Sequence, residues 1–224
     1  MPGDVFPATL HTWIDDQLQR GGDGRRAVNA YLMATYAWPL RVYYLGSSAR
    51  WLGEPDEIVN GFLADRLGRN DFMAGWQASG LRLRRWLING FCFYLREEIR
   101  RRRRGAIRKD AANDDALTFS GDPARAFEAA SVCAFVRRAL DLAESACRAA
   151  DLEPHWAVFR EHHLNGRPFQ VLADERGLSA GRAAVMCRTA TRRFREALRE
   201  VVWRDGVPDG EVDDEIRRML EASL

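Results

Sequence analysis

Residues 168–198 read PFQVLADERGLSAGRAAVMCRTATRRFREAL. Pro168 suits the first position of a helix, and Gly177 is the residue type that commonly ends one in a left-handed cap. Ser179 is a good N-cap for a second helix that continues through Leu198. Because only three residues separate the two helical patterns, the stretch predicts a helix-turn-helix, whose second helix enters the major groove of DNA.

The residue types within this stretch fit that motif. Small or aliphatic side chains, which let two helices cross closely, are expected at Val171, Leu172, Ala173, Leu178 and Val185. The second helix carries a basic series, namely Arg182, Arg188, Arg192, Arg193 and Arg195. An ordinary helical hairpin with a solvated basic face has the same pattern, so both interpretations remain open from the motif alone.

Charge along the chain is sorted into blocks. The 224 residues carry 34 Lys and Arg against 32 Asp and Glu, so a net charge of +2 does not by itself indicate a nucleic-acid partner. Residues 81–109 hold eleven basic side chains against two acidic ones, and residues 176–199 hold seven against one. Two basic blocks on an otherwise acidic chain are expected of a protein that contacts polyanions at two places.

Composition excludes several classes of protein. An apolar fraction of 46% is enough to build a core, so a disordered tail or a fibre is excluded. The cysteines lack metal or redox spacing and are expected to be buried thiols in a reducing cytoplasm: Cys92, Cys133, Cys147 and Cys187. The N-terminal residues do not resemble a signal peptide, and the apolar region 28–45 is too interrupted to span a bilayer. A cytoplasmic location is therefore predicted.

Apolar residues return every three or four positions almost throughout, which predicts an all-α fold. Helices are expected up to about Gly21, from Arg25, around residues 42–44 after Pro39, after Pro55, and over 81–104, 122–150, 155–164, 168–176 and 179–198. The predicted organisation is a first helical module (1–104), a flexible linker (105–121), a second module with the helix-turn-helix (122–204) and an acidic tail with a short helix (205–224).

The order and spacing of these segments resemble an RNA polymerase sigma factor of the extracytoplasmic-function type, in the sigma-70 family. The resemblance covers roughly residues 9–202, and residues 36–40 are closest to sigma factors of planctomycete-like bacteria. Residues 55–63 resemble the region 2 helix that docks on the β′ clamp, and residues 84–100 the helix that engages and melts the −10 element. Residues 169–198 resemble the region 4 helix-turn-helix that reads the −35 element.

The resemblance implies a factor that binds core RNA polymerase, through the β′ clamp and the β flap, and directs promoter-specific transcription initiation. It implies polymerase-binding residues at Glu57, Ile58, Asn60 and Phe62. It implies contacts with −10 DNA from Arg82, Arg85, Trp86, Arg96 and Arg100, and with −35 DNA from Ser179, Arg182, Arg188 and Arg192. Promoter DNA is the second partner, and an anti-sigma factor is a further partner of the family.

The chain departs from the common family pattern at several positions. Glu57 and Asn60 occupy positions where family members commonly have Asp and Gln. Both changes are conservative, because a carboxylate and an amide remain available for hydrogen bonds to the clamp. The pair at 92–93 is Cys-Phe where Arg-Asn is common, and the pair at 183–184 is Ala-Ala where Val-Lys is common. These departures affect the residues expected near the melted strand and near the bases of the duplex.

Aromatic residues are interleaved with arginines in the segment 81–104. Stacking of an unpaired base on an aromatic ring contributes about 1–3 kcal/mol, so Trp86 and Phe93 are candidate base contacts. Arg82, Arg85 and Trp86 are spaced to share one helix face. A core role is favoured for Phe91, Tyr94 and Leu95, and Trp86 fits either role.

Other chemistry is not indicated. His162 and His163 are adjacent with no third ligand at metal spacing, so a surface pair is favoured over a metal site. The sequence has no Gly-rich phosphate loop and no nucleophile elbow, and it predicts neither an enzyme nor a cofactor.

Two alternatives remain open: a helix-turn-helix regulator that acts without polymerase, and a helical adaptor protein. A further hypothesis is that the acidic tail folds over the recognition helix and restrains DNA binding. Deletion of residues 205–224 is then expected to raise the affinity for DNA.

Overall fold

The computed structural model describes residues 10–105 and 122–221 of the chain. These residues form ten α-helices and two short 3-10 helices, which confirms the all-α prediction. The α-helices are α1 (Leu10–Gln19), α2 (Gly22–Leu45), α3 (Pro55–Leu67), α4 (Asn70–Ser79), α5 (Leu83–Gly105), α6 (Pro123–Ala149), α7 (Glu153–His163), α8 (Phe169–Arg176), α9 (Ala180–Arg204) and α10 (Val212–Glu221). The 3-10 helices are Ser48–Leu52 and Asp209–Glu211. The predicted linker lies outside the described residues, except for Gly105 at the end of α5.

The described chain divides into two compact units. The first contains the residues up to Ala134 and those from Trp203 onward, and the second is Phe135–Val202. The chain therefore leaves the first unit within α6 and returns to it at the end of α9. These limits differ from the predicted modules, because the start of α6 and the predicted acidic tail both belong to the first unit.

The second helix of the first unit is longer than the sequence predicts. The expected break at Pro39 does not occur, and α2 runs through this buried proline. A proline inside a helix removes one backbone hydrogen bond and costs about 3 kcal/mol. The cost is offset because α2 buries one continuous face, formed by Val28, Leu32, Tyr36, Leu40 and Tyr43.

Aromatic side chains from α3 and α5 form the centre of the first unit. Phe62 and Phe91 are fully buried, with ring centroids 5.1 Å apart, and Leu95 is buried beside them. The predicted core role is thus confirmed for Phe91 and Leu95, whereas Tyr94 is half-buried. Helix α4, which the sequence interpretation omitted, adds the buried Trp76 to this unit.

The second unit has a core of smaller residues. Helix α9 buries the face formed by Ala183, Met186, Cys187, Ala190 and Ala197. The α7 rings of Trp156 and Phe159 stack with centroids 4.9 Å apart, and Phe159 also contacts Phe194 of α9. The alanines on α9 leave room for close helix packing, while its opposite face is free to carry charge.

A membrane-spanning helix is not found among residues 10–105 and 122–221, where every helix is too short or too polar to cross a bilayer.

Candidate nucleic-acid interface

An arginine-rich stripe with exposed aromatic surface runs along α5. We call it the α5 surface; it is formed by Arg85, Trp86, Phe93, Arg96 and Arg100. With 3.6 residues per turn, these positions fall within an arc of about 100° around the helix axis, which places them on one side of the helix. Phe93 is 60% exposed, and the guanidinium of Arg96 lies 5.7 Å from the centre of its ring. A large exposed ring beside a cation suits stacking with a base.

A groove of about 360 Å³ lies beside this stripe. Its walls include Phe72 of α4 together with Trp86, Gly90 and Phe93 of α5. An ion pair between Arg66 and Glu97, with a nitrogen–oxygen distance of 2.9 Å, closes one rim. The sequence interpretation missed this groove because it did not include α4, and because glycine inside a helix is not by itself a signal of a binding surface.

Two glycines permit the close packing around the groove. A Cβ atom at Gly90 would lie 3.3 Å from the ring of Phe72, and one at Gly75 would lie 3.2 Å from the ring of Trp86. The Phe72 and Trp86 rings are consequently 5.6 Å apart, centroid to centroid. Trp86 is therefore half-buried and forms part of the wall of the groove.

Trp86 also has an unusual polar atom. Its indole Nε1 is buried and has no hydrogen-bond acceptor among the described residues. A buried N–H without an acceptor costs about 1–3 kcal/mol relative to a satisfied one. The ring thus holds its place through packing against Phe72 and Gly75, not through a hydrogen bond.

The arginines at the beginning of α5 are not part of the exposed stripe. Arg82 forms an ion pair with Glu215, so it does not share a free face with Arg85 and Trp86 as the sequence predicts. Arg84 is only 5% exposed and forms ion pairs with Asp205, Glu128 and Glu215. The physical reason for the difference is that the C-terminal residues bring carboxylates to this end of the helix.

Those carboxylates stabilise the charged form of the buried Arg84 side chain. Burial alone lowers the pKa of its guanidinium, but Asp205, Glu128 and Glu215 outweigh burial and raise the pKa above its usual value. Complete burial raises the pKa of Asp205, and Arg84 opposes that effect. The pKa of Glu215 is lowered, because its hydrogen bond to Arg84 and its proximity to Arg82 outweigh burial.

The residues after Arg204 belong to the first unit. Two of their carboxylates, those of Asp205 and Glu215, pair with Arg82 and Arg84 at the start of α5. Val207, Val212 and Met219 of the same segment are buried. The segment is thus a packed element of the first unit.

Helix α3 presents only half of the expected polymerase-binding residues at the surface. Glu57 and Asn60 are exposed. Ile58 is buried and Phe62 is completely buried, since both belong to the apolar face that packs in the core. The exposed face of α3 in this region is therefore polar. Ile58 and Phe62 are not available at the surface for direct contact with a partner.

In the second unit, a three-residue turn joins α8 to α9. Gly177 has a φ of 63°, and its N–H donates to the carbonyl of Asp174 at 3.4 Å. The N–H of Leu178 donates to the carbonyl of Ala173 at 2.9 Å, which completes a Schellman cap. Ser179 then caps α9, because its Oγ accepts the N–H of Arg182 at 3.2 Å.

The exposed face of α9 carries cations. Arg182, Arg188, Arg192 and Arg195 are all exposed, and we call them the α9 surface. Within the described ranges, Arg182 and Arg188 have no ion-pair partner, whereas Arg192 approaches Glu196 at 3.8 Å. Such a face can bind phosphates without first breaking strong internal ion pairs.

Two valines in this region are placed differently from the sequence prediction. Val171 and Val185 were expected at the crossing of α8 and α9, but they are 42% and 43% exposed. Leu172, Ala173 and Ala183 of the same helices are buried instead, and the two valines are left at the surface.

The adjacent histidines belong to a ring stack. His162 stacks on Phe169 with centroids 3.8 Å apart, and its Nδ1 lies 2.8 Å from the carbonyl oxygen of Arg167. Burial and the neighbouring His162 lower the pKa of His163. Across the residues that the structure describes, no group of three His, Cys, Asp or Glu side chains is arranged to hold a metal ion.

Comparisons of the chain with protein-family models, with curated proteins and with solved structures found no match.

Proposed function

We propose that this chain is a sigma factor of the extracytoplasmic-function type, which binds core RNA polymerase and contacts promoter DNA with both of its units. The observation that carries the proposal is that each compact unit presents one arginine-bearing helix surface of a different chemical kind. The α5 surface joins arginines to an exposed aromatic ring, and the α9 surface follows a helix-turn-helix turn. A cytoplasmic location follows from the proposed role.

The α5 surface suits unpaired bases. Phe93 offers an exposed ring for stacking, and Arg96 beside it offers a cation for the adjacent phosphate. Arg85 and Arg100 extend the positive charge along the same side of the helix. This combination supports the proposed contact with a melted −10 element, because single strands are bound by stacking together with electrostatic attraction.

The α9 surface suits a duplex. A recognition helix of this kind lies in the major groove, where arginine reads guanine and contacts phosphates. Arg182 lies in the first turn of α9, and Ser179 fixes that turn by capping it. Exposed Val185 adds an apolar side chain next to the arginines, of the kind that contacts the methyl group of thymine.

Helix α3 supports the polymerase contact through its polar surface. Glu57 and Asn60 are the exposed members of the matched segment, and the buried Ile58 and Phe62 hold the helix in the core beneath them. A docking surface of this kind is expected to bind through hydrogen bonds and charge, so it is sensitive to reversal of a single charge.

Binding to polymerase is the first test. The purified chain is mixed with core RNA polymerase from its own organism, and co-elution is followed by size-exclusion chromatography. We expect a one-to-one complex that Glu57→Arg combined with Asn60→Ala weakens. Asp16→Arg, a charge reversal at another exposed acid of the first unit, is the matched control. A folded wild-type chain that does not co-elute overturns the proposal and favours the polymerase-independent regulator.

Nucleic-acid binding is tested separately on each surface by fluorescence anisotropy. Phe93→Ala is expected to weaken binding of a labelled single strand by roughly tenfold, while Trp51→Ala, at another exposed aromatic residue, leaves it unchanged. Arg188→Ala is expected to weaken duplex binding, with Arg148→Ala on α6 as its control. Equal effects of a variant and its control would contradict the assignment of that surface.

A further inference from the structure

The N-terminus of α5 has no cap within its own sequence. The carbonyl of Arg82 accepts the N–H of Trp86 at 3.0 Å, which makes Arg82 the N-cap residue. An arginine side chain has no hydrogen-bond acceptor, so it cannot satisfy the first N–H groups of the helix. The first turn also contains no acidic residue to complement the positive end of the helix dipole.

Asp205 supplies two of the missing acceptors from far along the chain. Its backbone carbonyl accepts the N–H of Leu83 at 2.8 Å, and its Oδ1 accepts the N–H of Arg84 at 2.9 Å. The carboxylate therefore occupies the place of an N-cap side chain, although 121 positions separate it from Arg84. Its negative charge at this end of α5 also favours the helix dipole.

Asp205 is itself fixed in place. It is completely buried, and the hydroxyl of Tyr36 on α2 donates a hydrogen bond to Oδ1 at 2.8 Å. The guanidinium of Arg84 pairs with its second oxygen. A buried carboxylate with this many partners is held in one position, so the start of α5 is held in one position as well.

The residues that follow Asp205 anchor the same contact. We call residues 203–221 the C-terminal segment. Glu215 of this segment pairs with Arg82, Arg84 and Arg218, so it neutralises charge at the beginning of α5. Val207 and Val212 are each no more than 2% exposed, so apolar packing also holds the segment in the first unit.

We propose that the C-terminal segment is a positioning element for the α5 surface, with Asp205 as an N-cap of α5 supplied by a distant part of the same chain. The segment does not contact nucleic acid in this role; it fixes the helix that carries Phe93 and Arg96. The role in nucleic-acid binding rests on the proposed function, whereas the capping contact does not. Loss of the capping contact weakens single-strand binding. An inhibitory tail predicts the opposite, namely tighter binding when the tail is lost.

The test compares three substitutions in the full-length chain. Asp205→Ala removes the side-chain acceptor, and Asp205→Asn keeps an oxygen at the same place, since Asn and Asp are about equally good N-caps. Glu211→Ala removes an exposed acid from the same segment and is the control. Two quantities are measured: hydrogen exchange of peptides spanning residues 81–87 by mass spectrometry, and the affinity for a labelled single strand by anisotropy.

We expect Asp205→Ala to speed exchange at the start of α5 by at least about fivefold, the typical effect of losing a cap, because it also removes an ion-pair partner of the buried Arg84, and to weaken single-strand binding. Asp205→Asn is expected to restore part of the exchange protection, since its oxygen can still accept the N–H of Arg84 although its neutral amide no longer pairs with the guanidinium. Unchanged exchange in Asp205→Ala overturns the capping role. Faster exchange with unchanged or tighter single-strand binding overturns the positioning role.

These outcomes are separable from failure of the proposed function. If Phe93→Ala also leaves single-strand binding unchanged, the α5 surface does not bind nucleic acid, and the positioning role falls with it. The exchange measurement still decides whether Asp205 caps α5, because it does not depend on any ligand.

Discussion

Substitution of Gly177 tests the geometry of the turn between α8 and α9. Its φ of 63° lies in the left-handed region, and a Cβ atom placed there would meet no atom within 4 Å. Gly177→Ala therefore introduces no clash. The expected loss is the backbone penalty alone, about 1–2 kcal/mol for an L-residue in this conformation.

Gly181 provides a control of opposite sign. It lies in the first turn of α9 with ordinary helical geometry, and its Cβ would also meet no atom within 4 Å. Gly181→Ala is therefore expected to stabilise the helix by up to about 1 kcal/mol, through the lower entropy of alanine in the unfolded chain. The same chemical change four positions apart should thus move stability in opposite directions.

The stability of the second unit can be followed through one reporter. Trp156 is the single tryptophan in residues 135–202 and is buried in the core of that unit. Urea titrations of chain labelled with 5-fluorotryptophan, followed by ¹⁹F NMR, report unfolding around this residue. The resonance is assigned with Trp156→Phe. Equal stability of Gly177→Ala and wild type would refute the left-handed turn and, with it, the helix-turn-helix geometry.

Three further substitutions are expected to affect the first unit. Phe62→Ala should lower its free energy of unfolding by about 3–5 kcal/mol in denaturant titrations, because the ring is completely buried; a loss below 1 kcal/mol would contradict a core role. Gly24→Ala should prevent native packing of α1 on α2, seen as lost chemical-shift dispersion in NMR spectra, because its Cβ would overlap the backbone carbonyl of Gln17. The pKa of Glu215 is lowered from its usual value of 4.5. The difference in free energy of unfolding between wild type and Glu215→Gln should therefore be largest above pH 4.5. It should decline as the pH falls through the lowered pKa of the folded state. If thermal unfolding scans show that the stability difference between wild type and Glu215→Gln grows on acidification, the ion pairs of Glu215 are contradicted. Asp205 is present in both proteins, so its own pKa, which burial raises, does not affect the comparison.

Helical periodicity and turn residues were sufficient to predict much of the architecture. The all-α class, the core positions Phe91 and Leu95, and the turn at Gly177 follow from apolar spacing and from the conformational freedom of glycine. The break expected at Pro39 did not follow, because the buried face of α2 outweighs the loss of one backbone hydrogen bond. Local sequence rules describe propensity, and burial across the whole unit can override them.

The candidate site was less predictable than the fold. The basic character of α5 and α9 is visible in the sequence, but the partner of each arginine is not. Arg82 and Arg84 differ from Arg85 because carboxylates from residues 205 and 215 reach them. The groove beside Phe93 depends on Gly75 and Gly90, whose meaning becomes clear only when Phe72 and Trp86 are placed against them. Long-range pairing of this kind has no local signal.

The cap on α5 has a consequence for the order of events during synthesis. The 121 positions between Arg84 and Asp205 take about 6–24 s to translate at about 5–20 residues per second. Throughout that interval the nascent α5 is without the acceptors that complete its first turn. The first unit therefore reaches its final form only after residue 205 has left the ribosome, and a prematurely terminated product lacks a finished α5, even though it contains every residue of that helix.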